Sequence, residues 1–92
     1  MVDRADLATM LVDRYRSAWT ELGAGAGATA HTVRAWLEAN RVVVPVAERL
    51  FVHPNTVRNR VQRFLDVTGI DPHSTFGAVD AWWLCRAWLA QA

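Results

Sequence analysis

The sequence predicts an all-α domain of four to five short helices, and three observations carry that reading. Apolar residues recur at helical spacing in several separate segments. Glycine and proline fall mostly at the ends of those segments. The one run with strand propensity, Val42-Val43-Val44, is followed at once by Pro45 and has no second strand to pair with. A chain of 92 residues suits one small domain, and an apolar fraction of 52% with five tryptophans is far too rich for a disordered one.

From Asp3 to Leu22, the residues Leu7, Leu11, Tyr15, Ala18 and Leu22 keep one helical stripe, with Met10 and Trp19 beside it. Asp3 can cap this helix and Gly23 can terminate it. The alternating run Gly23 to Ala30 reads as a flexible connection. The expected division is therefore an amphipathic helix over 1–22, a Gly/Ala linker over 23–30 and a main domain over 31–92. The first helix is then an appendage, docked on the domain or on a partner chain.

A second helix is expected over about Thr32 to Asn40, where Val33, Trp36 and Leu37 sit at i, i+3 and i+4. Residues 42–44 read as extended linker. Pro45 fits N1 of a short helix running to about Phe51, with Ala47 and Leu50 inward. Phe51-Val52-His53 makes a tight connection, and Pro54 fits N1 of the next helix, which ends near Thr68-Gly69. In that helix Val57, Val61 and Phe64 share one stripe, and Asn55, Arg58, Asn59, Gln62 and Arg63 are left off it. Two short helices separated by about three residues form a helix-turn-helix.

Ser74 or Thr75 can cap a last helix reaching about Ala90, whose stretch Ala81 to Leu89 is apolar nearly all round. Val79, Trp83 and Ala87 are expected in the core. Trp82 and Trp88 lie off that stripe and are candidates for a dimer seam or for docking the first helix.

The formal charge of +1 is unevenly spread. Residues 1–30 hold three Arg against four acids, residues 31–65 six Arg against two Glu, and residues 66–92 one Arg against three Asp. The positive field thus belongs to the middle third, as expected of a polyanion-binding surface on an otherwise near-neutral domain. All ten cationic residues are Arg, a source of forked donors suited to phosphate and guanine.

Other chemistries find no support in the sequence. Cys85 is the single cysteine, so an internal disulfide is excluded, and His31, His53 and His73 are too scattered to suggest a metal site. Ser17 and Ser74 lack a nucleophile-elbow pattern, and the Gly-Ala run lacks the Lys-Ser/Thr of a phosphate loop. Neither an enzyme nor a cofactor is expected. The longest apolar run, Ala81 to Cys85, is far short of the roughly 20 residues that span a bilayer, and no signal-peptide pattern opens the chain. A cytoplasmic location is expected.

From Thr32 to Ala87 the chain resembles the C-terminal helix-turn-helix module of the PucR/CdaR family of bacterial transcriptional regulators. The strongest element is Leu50-Phe51-Val52-His53-Pro54-Asn55-Thr56-Val57-Arg58-Asn59-Arg60-Val61, similar to the family pattern Leu-x-Val-His-Arg-Asn-Thr-hydrophobic-x-Tyr-Arg-hydrophobic. Leu37-Glu38-Ala39-Asn40, Ala47 and Thr68-Gly69-Ile70-Asp71 support it. The resemblance implies a domain that binds double-stranded DNA operators as a homodimer, usually at the end of a longer regulator whose sensory domain is missing here.

The sequence departs from the pattern at three places. Arg41, Val42 and Val44 replace small or polar residues before the first motif helix, which removes a Ser cap and adds a cation. Pro54 replaces an arginine, and Asn59 a tyrosine, so the operator does not carry over from the family.

On this reading Arg58, Asn59 and Gln62 face base edges in the major groove. Asn55 and Thr56 contact phosphate together with the free amides at the helix start, though Thr56 can equally pack or cap locally, and Arg63 is a further DNA contact. His53 can touch phosphate or cap the turn. Arg60 is expected to point to the flank and pair with Glu48 or Asp66, and Arg41 lies where it can reach adjacent backbone. The rival reading is a helical dimerisation or protein-interaction module without DNA binding, motivated by the tryptophan-rich last helix. RNA binding is disfavoured because no aromatic platform accompanies the basic residues.

Overall fold

A computed structural model describes residues 9–10 and 12–91, and five helices lie among them. The expected positions Asp3, Leu7 and Leu11 of the first stripe lie outside the described residues. The architecture is all-α, with no strand among the described residues. Its helices are α1 (Arg16–Leu22), α2 (Ala26–Glu38), α3 (Val43–Leu50), α4 (Pro54–Thr68) and α5 (Thr75–Gln91).

Gly23 ends α1 as expected, at φ 59°. The Gly/Ala linker expected after it is instead folded: Gly23–Gly25 form one 3-10 turn, and α2 starts directly at Ala26 rather than at Thr32. Tertiary burial overrides the weak propensity of glycine here, because Ala26, Thr29 and Ala30 are all buried and their small side chains admit close neighbours. Thr32 is fully buried, and its Oγ1 donates to the Ala28 carbonyl at 2.7 Å.

Two left-handed residues, Asn40 (φ 57°) and Arg41 (φ 65°), close α2. The Arg41 amide donates to the Trp36 carbonyl and the Asn40 amide to Leu37, the paired bonds of a Schellman motif. Only Val42 is extended. Val43 and Val44 already belong to α3, which places Pro45 third in the helix rather than first. The position is tolerated because the first four amides of a helix have no intrahelical acceptor. A second Schellman pair, Val52 to Ala47 and Phe51 to Glu48, ends α3 with Phe51 left-handed and almost wholly exposed. The connection to α4 is Phe51-Val52-His53, so α3 and α4 form the helix-turn-helix.

Pro54 opens α4, and Gly69 closes it at φ 74°, its amide bonded to the Leu65 carbonyl at 2.8 Å. Val57, Val61 and Phe64 are buried, as their spacing predicts. Before α5, the Ser74 Oγ accepts from the Gly77 amide at 3.0 Å and donates to the Asp71 carbonyl, so Ser74 is the cap. A Cβ on Gly77 would lie 1.8 Å from the Asp71 carbonyl oxygen. Gly77→Ala is therefore expected to destabilise the domain by about 1–3 kcal/mol, because backbone must move to admit it. Thermal melting checks this, and an unchanged midpoint would show that the turn yields freely.

Helix α2 lies at the centre and packs against α1, α3, α4 and α5. In α5 the buried face is Ala81, Leu84, Cys85 and Ala87, with Trp88 half-buried. The expected core positions Val79 and Trp83 are instead exposed, at 53% and 37%. A helix apolar on nearly every side gives periodicity no face to select, and α2 takes the side whose small Ala81 and Cys85 allow close approach. Trp88 stacks on Trp19 with ring centroids 4.9 Å apart, and Trp19 also meets Phe64 at 6.3 Å, so α1 docks on its own domain.

Candidate nucleic-acid interface

Burial of Val57, Val61 and Phe64 fixes which side of α4 meets solvent. Asn55, Arg58, Asn59, Gln62 and Arg63 are all exposed on it, and Thr56 is half-buried. His53 precedes the helix in extended conformation, and its Nδ1 accepts from the Asn55 amide at 3.0 Å, which makes it the N-cap. The Thr56 amide bonds the His53 carbonyl at 2.9 Å. The first turn of α4 is thus fastened by His53 before any ligand arrives.

Arg58 donates to Asn55 Oδ1 at 3.0 Å, and Gln62 donates to Asp66 Oδ1 at 2.9 Å. Both are one-turn contacts along the helix surface that a base edge or phosphate can replace. Asn59 and Arg63 have no hydrogen bond or ion pair among the described residues. The ion pairs found there, Arg16–Asp13 and Arg34–Glu38, involve no residue of α4. Arg58 and Arg63 therefore present guanidinium charge that no carboxylate neutralises.

Arg60 is different. It is half-buried and turns inward, donating to Thr32 Oγ1 at 3.1 Å, and not outward to Glu48 or Asp66 as expected. Thr32, itself bonded to Ala28, offers a lone pair that would otherwise be buried without a donor. This bond ties α4 to α2 across 28 residues of sequence, beyond the reach of any local pattern.

Arg41 donates to the His73 carbonyl at 2.7 Å, and the His73 ring meets Trp36 edge-on at 5.1 Å. A cleft of about 400 Å³ opens beside α4, lined by Trp36, Arg41, Val43, Arg58, Val61, Gln62 and His73. Sequence reasoning placed Arg41 near the motif but missed His73, because the bond joining them spans 32 residues. Of the two off-stripe tryptophans, Trp88 is engaged with Trp19, while Trp82 is half-buried against Trp83 with the Arg86 guanidinium 5.0 Å from its ring. Among the described residues no group of three or more His, Cys, Asp or Glu is arranged to hold a metal ion, and no helix is long and apolar enough to cross a membrane.

Residues 29–87 match the model of the PucR C-terminal helix-turn-helix domain. The chain belongs to that family. This PucR-type domain is 49% identical over 41 residues to the uncharacterized protein Rv2242 of Mycobacterium tuberculosis, covering 45% of the chain and 10% of the relative. It is 33% identical over 54 residues to the uncharacterized protein YxkF of Bacillus subtilis, covering 59% of the chain and 18% of the relative. The PucR-type domain thus spans between a tenth and a fifth of the length of these curated relatives. No solved structure matches it.

Proposed function

We propose that this domain binds double-stranded DNA sequence-specifically, as the operator-reading part of a bacterial transcriptional regulator. The observation that carries the reading is the outer face of α4. There Arg58, Asn59 and Arg63 project from a helix fixed by three buried residues, and among the described residues no carboxylate pairs with either arginine. Helix-turn-helix family membership supports a docking mode in which α4 enters the major groove and α3 steadies it across the backbone.

Arg58 is suited to guanine, Asn59 and Gln62 to adenine, and Asn55, Thr56 and Arg63 to flanking phosphates. Arg60 takes no part, being committed to Thr32. The reading is non-enzymatic, needs no cofactor and acts in the cytoplasm. The short share of the relatives that this chain covers supports a sensory domain elsewhere in a longer regulator.

A homodimer on a two-fold operator is part of the proposal. It is supported by an exposed apolar stripe on α5, Phe76, Val79 and Trp83. The same stripe motivates the rival reading, a helical interaction module without DNA affinity.

Anisotropy titration of a labelled random duplex separates the two readings. DNA binding predicts measurable affinity at low salt and a log-log salt slope of several units, about 0.9 for each phosphate contacted. Selection from a random library is expected to return a site with dyad symmetry and half-sites about 34 Å apart. No binding at low salt would eliminate the DNA reading.

A further inference from the structure

We propose that the cleft between the α2–α3 turn, α4 and the 71–74 turn is a phosphate-binding site that grips one backbone phosphodiester of bound DNA, with Arg41 as its principal ligand. The inference rests on the DNA reading for the source of the phosphate, while the cleft's affinity for an anion stands separately.

Four observations converge on this cleft. Its lining brings together two guanidinium groups, Arg41 and Arg58, with His73 and Gln62, and it contains no carboxylate. In such a cleft the positive field is concentrated by the protein walls. The adjoining Asp71 and Asp66 carboxylates accept from the His73 amide and from Gln62, without pairing with either arginine among the described residues. Arg41 is also held in place. Its backbone is left-handed, its amide is bonded to Trp36, and its guanidinium is fixed on the His73 carbonyl at 2.7 Å. A guanidinium with one N–H engaged keeps others free to meet an oxyanion.

The start of α3 supplies the third observation. Val42 occupies the N-cap with a side chain that can accept nothing, so the first amides of an eight-residue helix have no cap, and Val43 lines the cleft. An incoming phosphate oxygen would provide the missing cap. Finally, Trp36 forms part of the wall while its Nε1, in a residue only 3% exposed, has no acceptor among the described residues. A buried donor left unpaired is uncommon and costs about 1–3 kcal/mol. The Nε1 atom itself is enclosed, as is the equally unpaired Nε1 of Trp19, so the indole serves the cleft as a rigid wall and as a reporter.

The site flanks the reading face, since Arg58 and Gln62 border both. A phosphate seated there would set the register of α4 along the groove without itself reading sequence. The two possible sources of the anion, DNA backbone and free phosphate, are separated by two kinds of measurement.

In the first, duplex binding is measured for the wild type and for Arg41→Gln. The variant is expected to bind about tenfold more weakly, and about equally so on selected and random sequence, with a salt slope lower by about one unit. Duplexes carrying a single neutral methylphosphonate are then scanned along the selected site. One position should weaken the wild type and leave Arg41→Gln unaffected. Thermal melting confirms that the variant is folded.

In the second, the Val43 amide, Trp36 indole and Arg41 Nε resonances are followed by nitrogen–proton NMR, first with inorganic phosphate and then with duplex. All three are expected to shift with duplex at stoichiometric levels and with inorganic phosphate only in the millimolar range. An unchanged slope in Arg41→Gln together with no coupled methylphosphonate position would overturn the assignment. So would saturation of the three resonances by micromolar inorganic phosphate that competes with duplex, which would identify a free anion as the ligand. If duplex binding fails altogether, the DNA reading falls, and the inorganic phosphate titration alone decides whether the cleft binds an anion.

Discussion

Replacing Arg58 and Arg63 together by alanine is expected to weaken duplex binding about a hundredfold or more, the sum of a base contact worth about 1–3 kcal/mol and a charge-assisted phosphate contact. The two single variants should differ in kind. Arg58→Ala is expected to relax sequence preference at one base pair and to release Asn55 from its hydrogen bond. Arg63→Ala is expected to weaken all sequences about equally and to lower the salt slope by about one unit. Both side chains are exposed and neither is ion-paired among the described residues, so folding stability should move by no more than about 0.5 kcal/mol. Anisotropy titrations at three salt concentrations, with circular dichroism to check the fold, measure both effects. Affinity unchanged in both single variants would show that α4 presents a different face to DNA.

The largest loss of stability is expected from Phe64→Ala, at about 4 kcal/mol. Phe64 is fully buried on α4, in the core cluster that α2 completes and beside the Trp19 ring. Truncation removes apolar surface and leaves a cavity that three helices cannot easily close around. Domains of this size have about 5–15 kcal/mol of net stability, so the variant gives up a large part of it. The melting midpoint should fall by roughly 20 °C. A shift of only a few degrees would mean that Trp19 and its neighbours collapse into the space. Below its midpoint the variant should still bind duplex, because none of the reading residues is touched.

How much of this was legible in the sequence depended on whether the information was local. Helix α4 was readable in full: its period, its N1 proline and its left-handed glycine are all written within sixteen consecutive positions, Pro54 to Gly69. Asn40 as the stop of α2 and Ser74 as the cap of α5 were equally local. What failed depended on a packing partner. The glycines at 23–27 gave no sign that Ala26 and Ala30 would be covered. An all-apolar α5 could not announce that α2 would choose Ala81 and Cys85 over Val79 and Trp83. Arg60 showed only a charge, and its role depends on a threonine 28 residues earlier. That Asn55, Arg58, Asn59, Gln62 and Arg63 meet solvent was legible for a related reason: their contacts within the chain, where they make any, reach no further than one helical turn.

The central place of α2 has a consequence for how the molecule comes apart. Helices α4 and α5 each pack on α2 and make no backbone approach to one another among the described residues. Once α2 leaves, α5 loses its main packing partner and keeps only the Trp88–Trp19 stack, while α4 keeps only α3 and α1. The domain should therefore open globally and not in halves, with α2 amides exchanging with solvent most slowly and through whole-molecule unfolding. A domain built this way is expected to hold α4 either fully formed or absent, so that on the proposed function a partly assembled DNA-binding surface would be rare.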